Sequence, residues 1–138
     1  MYSIGELARQ TGVKIPTIRY YEEQGLISAA LRTTGNQRRF GEAELERLSF
    51  IKHARDLGFP LSSVQALIRL QTQPNLSCKE ALDIAQQQLE DVRQKIARLS
   101  RLEKDLTRIR KGCTGSGLAQ DCYVLASLGD HSHCDSAH

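Results

Sequence analysis

The stretch SIGELARQTGVKIPTIRYYEEQGL, residues 3–26, contains two short helices and the break between them. Ser3 and Glu6 stand in S-x-x-E spacing, a capping box in which each side chain satisfies a free backbone amide of a first helical turn. Ile4, Leu7 and Ala8 follow at helical spacing, and Gly12 stops the run after about two turns. Pro16 suits the first turn of a second helix, Ile18, Tyr21 and Leu26 face inward, and Gly25 ends it. Two short helices across a tight turn read as a helix-turn-helix.

Outward from there, SAALRTTGNQRRF (residues 28–40) places a Gly-Asn pair between two short extended segments, a small hairpin carrying Arg32, Arg38 and Arg39. A basic hairpin after a helix-turn-helix is a wing. EAELERLSFIKHARDL (residues 42–57) is an amphipathic helix with Leu45, Leu48, Ile51 and Leu57 toward the core, ended by Gly58 and Pro60. A shorter helix follows over residues 61–71, and Pro74 closes the domain. Ser77 and Glu80 then repeat the capping-box spacing, and the chain runs without Gly or Pro to Lys111. Its apolar residues Leu82, Ala85, Leu89, Val92, Ile96, Leu99, Leu102, Leu106 and Ile109 step by three and four with one irregularity at Leu102. That is a coiled-coil stripe, which a lone helix cannot bury. A second copy of the chain is the expected partner; packing back on residues 1–70 is the alternative.

Composition agrees with a mainly helical protein. The 138 residues are 40% hydrophobic and 25% charged, with 5% aromatic and no Trp, so a core of Leu, Ile, Val and Ala is expected. No window reaches the roughly 18 apolar residues needed to span a bilayer, and MYSIGELARQ has no basic leader before an apolar run, so a cytoplasmic protein without membrane contact is expected. The net charge of +3 is too small to mark a nucleic-acid binder by itself: residues 1–60 hold 9 basic and 7 acidic side chains, the rest 10 and 9. There is no nucleophile set beside a base and no phosphate-binding glycine loop, so an enzyme is not expected.

The cysteines carry the chemistry. In a reducing compartment four of them point to thiols, ligands or redox centres rather than structural disulfides. Cys78 starts the long helix and Cys113 lies just past its end, so at 1.5 Å per residue they stand on the order of 50 Å apart within one chain. If two such helices pair antiparallel, Cys78 of one protomer meets Cys113 and Cys122 of the other, and a twofold dimer has one site at each end. Three thiolates suit soft or borderline ions such as Zn(II), Cd(II), Pb(II) or Hg(II). Within CTGSGLAQDC (residues 113–122), Gly115, Ser116 and Gly117 let the loop curl, and a helix starting near residue 122 offsets thiolate charge. A Cys113–Cys122 disulfide, and with it an oxidant sensor, is an alternative. The tail GDHSHCDSAH offers His131, His133, Cys134 and His138 as accessory metal ligands, although polar termini are usually only mobile.

The run IGELARQTGVKIPTIRYYEEQGLI, the wing GNQRRF, the segment LSFIKHARDLGFPLSSVQAL and the cysteine-bearing ends of the long helix resemble the MerR family of metal-responsive transcription regulators, over residues 1 to about 128. The resemblance implies a homodimer with a winged helix-turn-helix at each end of an antiparallel two-helix coil, bound to palindromic double-stranded promoter DNA. It implies that metal binding twists and bends the promoter so that RNA polymerase engages it, control exerted through DNA shape. By position in these motifs, Lys14, Thr17, Arg19 and Tyr20 face the major groove and its phosphates, Arg32, Asn36, Arg38 and Arg39 grip the backbone from the wing, and His53 and Arg55 add phosphate contacts.

The chain departs from the family at Gln37, where members usually carry an aromatic, and at Phe40, where they usually carry Tyr. Family sensors of monovalent ions have Ser at the position of Cys78, so the third cysteine points to divalent Zn, Cd or Pb, with a Hg(II) or Cu(I) sensor as the alternative within the family. Thr114 follows Cys113 and the loop has no His, unlike two-ion zinc sites. A metal buffer with a vestigial DNA-binding motif is the competing class. The expected organisation is a DNA-binding domain over residues 1–74, a dimerisation helix over 75–112, a metal-binding loop and short helix over 113–128, and a flexible His/Cys tail over 129–138.

Overall fold

The computed structural model describes residues 1–29, 31–35 and 37–129. It falls into two units, Met1–Ile84 and Ala85–His138.

In the first unit, α1 (Ile4–Thr11) begins at Ser3, whose hydroxyl oxygen accepts the Glu6 amide at 3.2 Å. The other half of the box differs from the sequence expectation: the Ser3 hydroxyl donates to the Glu6 carboxylate at 3.2 Å, so the two side chains bond each other. Gly12 ends the helix at φ 77°, with its N–H on the Ala8 carbonyl. This left-handed position strains any residue with a Cβ. The turn is tightened by Thr11, whose hydroxyl donates to the Leu7 carbonyl at 2.7 Å and accepts from the Val13 amide. Helix α2 (Ile15–Glu23) starts at extended Lys14 with Pro16 in its first turn, where a missing N–H costs nothing.

Strands β1 (Leu31–Arg32) and β2 (Arg38–Arg39) pair antiparallel with Leu31 opposite Arg39 and Arg32 opposite Arg38, which is the expected hairpin. Phe40 extends it through a two-way backbone bridge to Tyr2, at 2.7 and 2.8 Å. Helices α3 (Glu42–Asp56) and α4 (Leu61–Gln71) complete the unit. Its core gathers Leu7, Ile18, Phe40, Leu48, Ile51 and Val64, all fully out of water. Leu57 is a correction: it is 57% exposed rather than inward. Helix α3 stops at Asp56, Gly58 reverses the backbone at φ 88°, and the Phe59 amide returns to the Ala54 carbonyl at 3.1 Å. Phe59 and Ala54 therefore pack where continued helical periodicity assigned Leu57.

Helix α5 (Lys79–Lys111) is unbroken for 33 residues, about 50 Å. Its capping differs in one respect from expectation, since the Ser77 hydroxyl accepts from the Lys79 amide at 3.1 Å. Leu82, Leu89, Ile96, Leu99 and Leu106 are 47–64% exposed along it, whereas Ile109 is buried. The carboxylate of Asp105 is also buried, 3.6 Å from the Arg108 guanidinium one turn on. After α5 comes a loop, a single 3-10 turn at Ala119–Asp121, and α6 (Tyr123–Gly129). No helix among the described residues is long and apolar enough to cross a membrane.

Candidate metal centre and nucleic-acid interface

The loop brings two of the predicted ligands together. Cys113 follows the last turn of α5, its amide on the Arg110 carbonyl, and Cys122 caps α6, its carbonyl accepting the Ala126 amide at 3.1 Å. Between them Gly115 takes φ 80°, and the Thr114 and Ser116 hydroxyls meet at 2.7 Å, which curls the chain back on itself. The result is a separation of 3.7 Å between the Cys113 and Cys122 Sγ atoms. Both are free thiols. The Cys122 thiol is pulled below its ordinary pKa, chiefly by the Leu125 backbone amide, with help from the Cys113 side chain and the Val124 amide against the opposing effect of burial. A pocket of about 370 Å³ opens beside the pair, with Gly117, Leu118 and Leu125 in its wall.

The donor set fits a thiophilic ion. Two thiolates at about 2.3 Å from one tetrahedral ion lie roughly 3.8 Å apart, close to the separation seen here. Two sulfurs do not complete such a site, and among the described residues no three His, Cys, Asp or Glu side chains cluster to hold a metal. Cys78, the third predicted ligand, is exposed immediately ahead of α5 and belongs to the first unit. The predicted accessory ligands His131, His133, Cys134 and His138 lie outside the described residues.

Tyr123 and Gly112 are two site-flanking residues that sequence reasoning passed over. The Tyr123 ring lies against Gly112 so closely that a Cβ there would overlap it. Adjacent Gly and Cys at one end and adjacent Cys and Tyr at the other are the only trace this contact leaves in the sequence.

In the first unit, Lys14, Arg19 and Tyr20 are exposed on α2 and its cap, with Thr17 half-buried beside them. The buried Ile18 and Tyr21 alternate with these residues because successive helical positions point to different sides. Arg32 is exposed on β1, while Arg38 and Arg39 on β2 are half-buried. Arg38 is ion-paired through Nε with Glu22, so the wing is tied to the C-terminal turn of α2. His53 and Arg55 are exposed at the end of α3, and Arg55 donates to the Phe59 carbonyl at 2.8 Å. Asn36, also expected to contact DNA, lies outside the described residues. Phe40 plays a different part from the wing position that resemblance assigns to its Tyr counterpart: it is fully buried in the core. The nearby phenol belongs to Tyr2, which donates to Glu42 at 2.6 Å and whose pKa is raised by that bond.

Residues 2–71 match the MerR helix-turn-helix regulatory protein family, and residues 45–109 match the "MerR, DNA binding" family. The chain is 39% identical over 130 residues to the HTH-type transcriptional regulator ZntR of Escherichia coli K12, covering 93% of this chain and 92% of that protein. It is 37% identical over 126 residues to the mercuric resistance operon regulatory protein of Pseudomonas fluorescens, covering 91% and 86%. The crystal structure of the transcription regulator PbrR691 from Ralstonia metallidurans CH34, in complex with lead(II), superposes with a TM-score of 0.79 at 33% identity, covering 93% of this chain and 99% of that one. A helix-turn-helix with a basic wing, a 33-residue helix and a thiol-bearing loop, together with these matches, identify the chain as a member of the MerR family of helix-turn-helix regulators.

Proposed function

We propose that the protein is a metal-responsive transcription regulator that binds promoter DNA as an antiparallel homodimer and responds to a divalent thiophilic ion, Zn(II), Cd(II) or Pb(II). The observation that carries this reading is the pair of free thiols 3.7 Å apart at the end of α5, spaced for one shared ion. The third thiolate is assigned to Cys78 of the partner subunit.

The spacing of the α5 stripe supports that assignment independently. Counted inward from either end, the apolar residues fall at steps of three, four and three: Leu82, Ala85, Leu89 and Val92 from one side, Ile109, Leu106, Leu102 and Leu99 from the other. Eight of the nine stripe residues are placed symmetrically about the point between Lys95 and Ile96, while Ile96 itself falls opposite Lys95. A twofold axis there pairs Leu82 with Ile109, Ala85 with Leu106, Leu89 with Leu102 and Val92 with Leu99, and the same axis sets Cys78 opposite Cys113. Each leucine-sized side chain fully buried contributes up to about 1.5–3 kcal/mol.

When bound, the ion would be held by Cys113, Cys122 and the partner's Cys78. The chain's own contribution is to hold the first two thiols at bonding separation and to lower the proton affinity of Cys122 with α6 amides. On the DNA side, Lys14, Thr17, Arg19 and Tyr20 are assigned to the major groove, Arg32, Arg38 and Arg39 to the backbone from the wing, and His53 and Arg55 to flanking phosphates. Bending of the promoter on metal binding, to the benefit of RNA polymerase, is the proposed output. The named relative for mercuric resistance favours Hg(II) as the second reading.

Transcription in vitro from the cognate promoter, with wild type and Cys78→Ser titrated with Zn(II), Cd(II), Pb(II), Hg(II) and Cu(I) at buffered free concentrations, tests the proposal. Activation by a divalent ion that Cys78→Ser abolishes is the expected result, and the most potent ion names the sensor. Equal activation of both proteins by Cu(I) would sink the three-thiolate site. Arg19→Ala is expected to weaken operator binding; unchanged affinity would remove that residue from the interface.

A further inference from the structure

We infer that Gly112 and Tyr123 are positioning residues for the Cys113–Cys122 thiol pair: the Tyr123 ring, seated on the backbone of Gly112, clamps the two ends of the loop together and presets the separation of the sulfurs. Each member of the clamp is the covalent neighbour of one thiol, Gly112 of Cys113 and Tyr123 of Cys122. Contact between the neighbours therefore brings the cysteines together by geometry alone.

Gly112 has no other visible reason to be glycine. Among the described residues four glycines take positive φ, namely Gly12, Gly25, Gly58 and Gly115, and Gly112 is not among them, so its backbone suits any residue. Its amide still bonds the Arg108 carbonyl at 3.2 Å, continuing the pattern of α5. What forbids a side chain is the ring, since three Tyr123 ring atoms occupy the space of a Cβ, whereas Gly117 beyond the clamp has nothing near that position. The loop between the thiols is rich in small residues and curls readily, so without a closure at its base the sulfurs would sample many separations. A ring lying against a glycine supplies that closure with no charged or metal-ligating group, leaving both thiols available.

The inference deepens the metal-sensor reading and rests on it only for its biological use, because closeness of two thiols is measurable with no metal. Full-length wild type, Gly112→Ala, Tyr123→Phe, Tyr123→Ala and the Gly112→Ala/Tyr123→Ala double variant are to be titrated with phenylarsine oxide, which bridges two nearby thiols, with peptide mass mapping to locate the bridge. Cd(II) binding is to be followed in parallel by thiolate-to-metal absorbance. Gly112→Ala is expected to weaken arsenical bridging of Cys113 and Cys122 about ten- to hundredfold, the range seen when the outer support of a metal ligand is lost. Tyr123→Phe should match wild type, and the double variant should bind more tightly than Gly112→Ala, because removing the ring makes room for the added methyl.

Wild-type bridging in Gly112→Ala, or a double variant as weak as Gly112→Ala, would overturn the inference. Should Gly112→Ala fail to fold, equal bridging in Tyr123→Ala and Tyr123→Phe would overturn it instead. Failure of the metal-sensor reading looks different: the arsenical series behaves as expected while no variant, wild type included, binds Cd(II) tightly.

Discussion

Phe40 in the first unit and Leu99 in the second are both large apolar side chains, yet one is wholly out of water and the other is 63% exposed. Met1–Ile84 closes around its own core, with four helices and a bridged hairpin burying Leu7, Ile18, Leu48, Ile51 and Val64 from within one chain. Ala85–His138 instead carries a stripe that a single helix cannot cover. A unit with its own core has its structure determined by its own residues. A unit with an exposed periodic stripe has its structure completed by whatever matches that period.

The strongest way to break this contrast is to charge the stripe. If the proposed dimer forms along this stripe, Leu89→Glu combined with Leu99→Glu is expected to convert it to monomer in sedimentation equilibrium and to abolish the proposed operator binding, since each carboxylate left unpaired in a buried seam costs about 3–5 kcal/mol. A variant that stays dimeric would show that the stripe is not the seam. The mirror experiment strikes the first unit. Phe40→Ala, in urea unfolding, should cost about 3–5 kcal/mol, because a fully buried ring leaves a cavity that the Tyr2 bridge prevents from collapsing. A loss below 1 kcal/mol, roughly that of an exposed position, would mean the core is more plastic than its packing implies.

Smaller effects sharpen the picture. Ser3→Ala removes the acceptor of the Glu6 amide and should lower the stability of the first unit by about 1 kcal/mol in the same urea experiment. The smallest effect is at the loop. Because the α6 amides and Cys113 stabilise the Cys122 thiolate, its folded pKa lies below the unfolded one. Its thiolate therefore persists to lower pH when folded, and alkylation of Cys122 followed by peptide mapping should show a lower pH midpoint in native protein than in urea. A midpoint that does not move on unfolding would dissociate the thiolate from those amides.

Much of the first unit was legible because its signals are local. The Ser3 cap, Pro16 in a first turn and the glycine stops at residues 12 and 25 act over one helical turn, and each appears where the spacing puts it. Leu57 was misread for the same reason. Periodicity extends a helix until something outside its period stops it, and here Gly58 turns the backbone so that Phe59 takes the inward place. The thiol pair was half legible, since two cysteines flanking a glycine-rich loop suggest closure but not its distance.

The sequence by itself determined the order of the helices and the hairpin, the unbroken run of α5 to Lys111 and the three-and-four spacing of its stripe, because all of these follow from residues a few positions apart along the chain. Only the tertiary structure decided that Arg38 pairs with Glu22, that Phe40 joins the core through Tyr2, and that the Tyr123 ring closes on Gly112 to leave two sulfurs 3.7 Å apart. These contacts join residues from 9 to 38 positions apart. Which distant residues meet depends on how turns and helices add up in space, and no local propensity encodes that sum.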